Sequence, residues 1–595
     1  MAKKIQSTSS TNPVRKPAAP TTGADVVVQC LVNNGVDTVF AYPGGAVIPL
    51  HQAYSRFRDK IRVVLPRHEQ GGGFAAQGYA RSTGKVGVCS ATSGPGAANL
   101  LTAVADAKLD SVPMVVITGQ VGTSFIGTDA FQELPSTEVF RSITKHHSLV
   151  TNPNDLTRVM NEAFYVAQTG RKGPVLVDIP KDIFNATIVP DYDAPMNLPG
   201  YFTPMLKPNP DSIQELADAI LTAKRPVLMI GGGALYAVDE VREFVKKTGI
   251  PVTSTMLAKG IFPADDPLSL DMPGMHGSVY ANHAIQECDL LISVGARFDD
   301  RITGNIKKFA PKARIAHIDI DLSEINKIIE SSISIAGYSN DVLKALNKIV
   351  KPNPKGLDAW TAQIQEWKAK FPFNAIRKCD DILPQYAIRE LWQMTRNQEP
   401  FVATGVGQHQ VWAAQYFKFN QPFHWMTSGG MGTMGFGLPA AMGAKVANPD
   451  KLVLAIEGDG SLLMNIQEMA TCYCEKIPVK VLLLNNQHLG MVVQWEHYFC
   501  KDNRGNTYLG PIDNPETFGK GDSLRREDRY PDFAAIAQGF GWGSRSIIKK
   551  EDLHDALQEM LDYDGPYILD VAIPYRENVL PLIPAGGTFE DTIVD

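Results

Sequence analysis

Short apolar runs recur along the chain, each closed by a small or polar break and followed by a longer stretch whose apolar positions return every three or four residues. Residues 38–41, 61–65, 86–91, 113–118 and 174–179 form one series; 225–234, 251–257, 288–301 and 314–321 form a second; 400–410, 452–456, 479–484 and 566–573 form a third. A strand covered by helices on both faces reads as a continuous apolar run, not as strict alternation. The pattern therefore predicts an α/β chain of three doubly wound parallel-sheet domains. Length agrees, since 595 residues exceed what one core holds and about 150 residues per domain gives three or four. The expected domains are 23–195, 211–350 and 380–575, with Pro-containing linkers at 190–210 and 352–384, the second enclosing a helix. Residues 1–22 carry four Lys/Arg and no acid among many Ser, Thr, Pro and Ala, which predicts a disordered tail; 576–595 reads as a C-terminal tail.

Ligands of open parallel sheets gather outside the carboxyl ends of the strands, so the breaks matter most. In the third series one strand is cut by Gly458, Asp459, Gly460 and Ser461, and the next delivers Asn485, Asn486, Gln487 and His488. A single βαβ unit brings Asp459 and Asn486 together. Mg²⁺ takes oxygen ligands, with only one or two carboxylates and the rest from phosphate and water, a demand that one Asp and one Asn amide oxygen meet. Gly458 and Gly460 let backbone N–H groups approach a diphosphate at the following helix N-terminus. A bare Gly-Asp-Gly is equally an ordinary strand-to-helix turn; the strand, helix, strand and Asn pair in register favour the cradle.

The first series places Glu69 at a strand end and helix start, within Arg67-His68-Glu69-Gln70-Gly71. Standing alone, such an acid is a helix N-terminal group stabilised by the macrodipole, worth roughly 0.3–1 kcal/mol. The sequence is not HExxH, so His68 is not read as a zinc ligand. In the second series Gly231-Gly232-Gly233 is not GxGxxG, which leaves a nicotinamide site unsupported. Strand ends offering Gly232, Thr255, Arg297, Asp299 and Asp319 still make a nucleotide-binding sheet.

Composition narrows the partners. A net charge of −6 gives no basic surplus for nucleic acid, and no apolar run is long enough to cross a bilayer. Seven cysteines show neither zinc nor disulfide spacing, and Cys472 and Cys474 read as helix packing. A reducing compartment follows, cytoplasmic, or organellar if the tail is a transit remnant.

Taken in order, YPGGA, LPRHEQGG, TSGPGAANL, GTDAFQE, GPVLVDIPKD, RFDDR, HIDID, GVGQHQVWAAQ, GDGS and LLLNNQHLGMVVQWE all match one family. From about Gly23 onward the chain resembles the acetohydroxyacid synthase (acetolactate synthase) family of thiamine diphosphate enzymes. The resemblance implies a pyrimidine-binding first domain, a central FAD-bearing domain and a diphosphate-binding third domain. The thiamine cofactor would span subunits of a homodimer or homotetramer. Glu69 of one subunit would activate it, while Asp459, Asn486 and the His488 carbonyl of the other hold Mg²⁺. Gly44, Gln408, His409, Gly432, Thr433, Met434, Gly460, Ser461 and Met491 would line thiamine diphosphate, with Met434 beneath it forcing the two rings into a folded shape.

For FAD, a structural and not a redox group in this family, the resemblance implies Arg171, Gly232, Thr255, Met256, Gly274, Met275 and His276. It adds Gly295, Arg297, Asp299, Asp319, Asp341, Gly429 and Gly430. The implied activity joins decarboxylated pyruvate to a second 2-keto acid. Arg301 would bind the acid's carboxylate, Trp495 would favour 2-ketobutyrate over pyruvate as acceptor, and Phe131, Gln132 and Lys181 would lie at the channel. Feedback control would need a separate small regulatory subunit. Gly122 stands where many relatives carry Pro, which predicts a looser channel loop. Pyruvate oxidases and glyoxylate carboligases share the fold and cofactors, and a non-catalytic relative shares the scaffold. Glu69 disfavours a carboligase, RFDDR with NNQHLGMVVQW disfavours an oxidase, and intact Glu69, Asp459 and Asn486 disfavour a non-catalytic chain.

Overall fold

Three parallel sheets follow one another in the computed structural model, which describes residues 19–201, 207–351, 354–511 and 529–594. The first contains Thr38–Ala41, Arg62–Val64, Gly87–Ala91, Met114–Gln120, His146–Leu149 and Pro174–Pro180; numbered along the chain, its strands lie in the order 2-1-3-4-6-5. The central sheet, Pro226–Ile230, Val252–Ser254, Leu290–Val294, Arg314–Asp319 and Ile333–Ala336, lies 2-1-3-4-5. The third contains Phe401–Thr404, Trp425–Met426, Val453–Gly458, Lys480–Asn485, Gly543–Ile547 and Tyr567–Ala572 and repeats the order of the first. In each sheet the winding reverses between strands 1 and 3, which puts a crevice at their carboxyl ends. The continuous apolar runs are explained by burial, since Gly87–Ala91, Met114–Gln120 and Pro174–Pro180 are buried at every position.

The first and third domains meet through equivalent helices, Glu69–Thr83 and Gly437–Ala447, each joining strands 2 and 3 of its own sheet. Their backbones touch because glycine lies at the crossing. A Cβ on Gly78 would lie 1.9 Å from the Ala440 carbonyl oxygen, and one on Gly443 would lie 1.8 Å from that of Ala75. Phe74 and Phe436 pack edge to face beside them, 5.4 Å between centroids, within one apolar core shared by both domains.

Three expected boundaries change. The tail was expected to reach residue 22, but Thr21–Thr22 pairs antiparallel with Thr187–Ile188, and Thr22 caps helix Gly23–Asn33 by accepting from the Asp25 N–H at 3.2 Å. Residues 1–18 of that tail lie outside the described residues. The helix inside the second linker, Asp358–Lys370, belongs to the central core: Trp360 and Ile364 are buried, and the Trp360 indole donates to the Pro226 carbonyl at 3.1 Å. The C-terminal tail is a packed strap. Val579, Leu582 and Ile583 are buried, and the Ile583 N–H donates to the Met275 carbonyl at 2.9 Å, tying the third domain to the central one. Among the described residues no helix is long and apolar enough to cross a membrane.

Candidate active site

Strands Val453–Gly458 and Lys480–Asn485 run side by side with Gly458 opposite Leu484, so Asp459 and Asn486 emerge at the same end of the sheet. Asp459 opens helix Asp459–Leu463, and the Gln487 N–H at the end of the next strand donates to Asn485 Oδ1 at 3.2 Å. Gln487, at φ 56°, reverses the chain so that the His488 N–H donates to Asn486 Oδ1 at 2.9 Å. Burial pushes Asp459 up to about 7, with Asp570 adding to the rise. Among the described residues no ion pair reaches it. A desolvated carboxylate without a basic side chain paired to it is a place for a cation.

Three helix starts converge around it. Helices Gln408–Tyr416, Asp459–Leu463 and Gly490–Phe499 begin within contact of one another: a Cβ on Gly490 would lie 2.2 Å from Gln408 Oε1 and 2.6 Å from Asn486 Nδ2, and one on Gly458 would lie 2.7 Å from His409 Nδ1. Their unpaired N–H groups and dipole ends favour an anion. Among the described residues Gln408 Oε1, His409 Nε2 and Glu457 Oε2 are buried there without a hydrogen-bond partner, the last two 3.9 Å apart, whereas Gln408 Nε2 donates to Gln494 Oε1 at 3.0 Å and to the Glu577 carbonyl at 2.9 Å. Burial holds His409 down to about 3, so its ring is neutral. Ser461 Oγ accepts the Gly435 N–H at 3.0 Å, and a Cβ on Gly460 would lie 3.3 Å from the Met434 methyl.

The crevice of the first sheet holds a different group. Glu69 is half-buried at the start of helix Glu69–Thr83, and Asn99 Nδ2 donates to its Oε2 at 2.9 Å. Glycines let the neighbouring turns close in: a Cβ on Gly44 would lie 2.5 Å from the Thr92 side chain, one on Gly96 would lie 3.3 Å from Glu69 Oε1, and one on Gly94 would lie 2.9 Å from Gln132 Cα. The 122–133 loop is thus docked beside Glu69, with Phe131 89% exposed at its tip. Lys181 is exposed and opens Lys181–Asn185 at the same sheet end, and the adjacent Asp182 accepts the Thr123 N–H at 2.9 Å. The loop is therefore tethered, and Gly122 adopts φ −55°, ψ 147°, angles that proline shares. Among the described residues no hydrogen bond joins this group to the Asp459–Asn486 cradle.

A cleft of about 1040 Å³ opens over the crevice of the central sheet and reaches both other domains. Its floor exists because Gly231 meets Gly295: a Cβ on Gly231 would lie 2.2 Å from the Gly295 carbonyl oxygen. The residues expected at a flavin line it, from Arg171 and Gly232 to Gly429 and Gly430, with Gly274 the exception. Gly274 is at φ 90° against the Arg301 carbonyl. Arg171 pairs with Asp321 at 3.0 Å and Glu324 at 2.7 Å, and burial pushes Asp319 up to about 6. Arg301, Met491, Trp495 and Gly432 also line this cleft, so two of the expected substrate residues, Arg301 and Trp495, lie beside those expected at a flavin.

Three family models match the chain. The N-terminal TPP binding domain of thiamine pyrophosphate enzymes covers residues 21–139, their central domain 213–346, and their C-terminal TPP binding domain 405–571. Acetolactate synthase 3, chloroplastic, of Brassica napus is 51% identical over 97% of this chain and 88% of the relative. Acetolactate synthase, chloroplastic, of Arabidopsis thaliana is 51% identical over 97% and 85%, and acetolactate synthase 1, chloroplastic, of Oryza sativa subsp. japonica is 52% identical over 97% and 89%. The chain belongs to the acetolactate synthase family.

As a member of that family it is a thiamine diphosphate enzyme, and several side chains around its crevices carry no motif. Glu468, fully buried, reaches from the third domain to accept the N–H groups of Arg67 at 3.1 Å and His68 at 3.0 Å, bracing the turn that presents Glu69. Gly71 makes room for it, since a Cβ there would lie 2.3 Å from Glu468 Oε1. Asn99, within TSGPGAANL, is the Glu69 partner. Neither role has a local signal: one depends on a contact 400 residues away, the other on packing of two turns.

Proposed function

We propose that this chain carries out the reaction for which its family is named: it removes CO₂ from pyruvate and joins the remaining two-carbon unit to a second 2-keto acid. The product is 2-acetolactate, or 2-aceto-2-hydroxybutyrate when 2-ketobutyrate is the acceptor, and the step opens branched-chain amino-acid biosynthesis. The carrying observation is the meeting of three helix starts around a buried carboxylate to which no basic side chain is paired among the described residues. Asp459, Asn486 and the His488 carbonyl hold Mg²⁺, and the helix starts hold the diphosphate. Thiamine diphosphate, when bound, supplies the electron sink for the loss of CO₂. Met434, against Gly460, shapes the space under its rings.

Glu69 holds and releases a proton at Oε1 or Oε2, oriented by Asn99, and serves the cradle of the partner subunit in a homodimer or homotetramer. Arg301 binds the carboxylate of the incoming acid, Trp495 sizes the acceptor pocket, and Phe131, Gln132 and Lys181 form the channel. FAD fills the central cleft as a structural group, and a separate small subunit carries feedback control. The compartment is the cytoplasm or an organelle. The test is to assay purified protein on pyruvate with and without thiamine diphosphate, Mg²⁺ and FAD, identifying products by mass. Acetolactate dependent on the cofactors is expected. Peroxide or an acetyl product from pyruvate would favour an oxidase, condensation of glyoxylate a carboligase, and no turnover a non-catalytic relative.

A further inference from the structure

Segment 428–434, Ser-Gly-Gly-Met-Gly-Thr-Met, stands between two sites: Gly429 and Gly430 line the central cleft, and the Met434 methyl lies 3.3 Å from where a Cβ on Gly460 of the cradle would sit. Three glycines in seven residues give it little stiffness of its own. The first domain holds it instead. The N–H groups of Gly429 and Gly430 donate to Asp110 Oδ2 and Oδ1 at 2.9 and 2.7 Å. Ser428 Oγ donates to Asp106 Oδ1, Thr433 Oγ1 donates to the same oxygen at 3.0 Å, and the Thr433 N–H closes the turn on Ser428 Oγ at 2.8 Å. Behind them Arg81 Nη2 reaches Asp110 at 2.8 Å and Asp106 at 3.4 Å, and Gln77 Oε1 accepts from the same nitrogen at 2.9 Å.

Both carboxylate side chains are fully buried and Arg81 is 10% exposed. Two buried acids facing one guanidinium are a costly device, and burial with the neighbouring Asp110 charge pushes Asp106 up to about 6. An apolar pair would stabilise the domain contact as well; what carboxylates add is charge-assisted, directional hydrogen bonding to four donors of one segment. We propose that Asp106 and Asp110 are positioning residues that set segment 428–434, so that occupancy of the central cleft by FAD and of the cradle by thiamine diphosphate are energetically coupled. The inference rests on the assignment of those two sites given above. It also supplies a reason for a flavin without a redox role: filling the cleft orders the segment that the thiamine cofactor lies against.

The test measures thiamine diphosphate affinity of the full chain with Mg²⁺, in the absence of substrate, with and without saturating FAD. For the natural chain FAD should tighten binding within the roughly 5–150-fold range of ordinary coupling. In Asp110→Asn both affinities should weaken at least about tenfold and the coupling factor should fall toward one. Ser428→Ala, which removes one donor to Asp106 and the acceptor of the Thr433 N–H but leaves both acids and Arg81, should give a smaller loss in the same direction and decides the matter if Asp110→Asn does not fold. Gly443→Ala, which loosens the same domain contact away from the segment, should keep the coupling factor of the natural chain. Unchanged coupling in Asp110→Asn or Ser428→Ala, or its equal loss in Gly443→Ala, would overturn this inference alone. Failure of the natural chain to bind either cofactor would overturn it together with the proposed function.

Discussion

The first and third sheets share the strand order 2-1-3-4-6-5, and each contributes the helix between its strands 2 and 3 to the contact that joins them, yet their crevices present opposite chemistry. After strand 3 the third domain turns through Gly458, Asp459 and Gly460, and a helix starts at a buried acid. At the same point the first domain turns through Gly94 and Pro95, where proline removes an N–H that a phosphate would need. Its acid, Glu69, comes instead from the helix before strand 3 and is only half-buried. Topology decides where a ligand meets the sheet; the two or three residues at one strand end decide whether it meets a buried carboxylate at a helix start or a half-buried one beside a proline turn.

The difference between the two crevices should show most strongly at the first domain. Glu69→Gln should lower acetolactate formation by about 10²–10⁴-fold while leaving the fold and FAD content intact. Near-normal turnover would mean that the first crevice does no chemistry. The helix pair is the next target: Gly443→Val forces a side chain to where even a Cβ would lie 1.8 Å from the Ala75 oxygen. A loss of roughly 1–3 kcal/mol, or failure to fold, is expected in denaturant titration, and an unchanged midpoint would show that the two domains do not need this approach.

Proton competition sharpens the third-domain side. Burial raises Asp459 from 3.8 to about 7, so at lower pH the carboxyl holds a proton that a cation must displace. The Mg²⁺ activation constant should therefore rise about tenfold per pH unit below about 7 and flatten above it, and a flat profile from pH 6 to 8 would remove Asp459 from the metal. Trp495→Leu should shift the ratio of 2-aceto-2-hydroxybutyrate to 2-acetolactate toward the latter by a few-fold to roughly tenfold; an unchanged ratio in mixed-substrate competition would reject the pocket assignment. The smallest effect is expected at the channel loop, where Gly122→Pro matches the observed angles and should stabilise the chain by roughly 0.4–1 kcal/mol with little change in turnover.

Much of this was legible in the chain because parallel sheets write their strands as apolar runs and their crevices as the residues that follow. Asp459 and Asn486 needed one βαβ unit, and Glu69 needed one strand end, so short-range pattern placed them. The cap made by Thr22 and the strap around Val579 were not legible, because each lies in a short segment without periodicity; the helix of Trp360 was legible, but not the distant surface that makes it part of the central core.

Sequence alone thus determined three wound sheets, the polar residues at their crevices and the family whose ordered motifs they match. Only the tertiary structure decided that Asn99 orients Glu69, that Glu468 braces the turn before it, and that Asp106 and Asp110 hold a segment more than 300 residues away. The physical reason is reach: backbone pattern is set by neighbours in sequence, whereas a buried carboxylate takes whatever donors the packed domains bring to it.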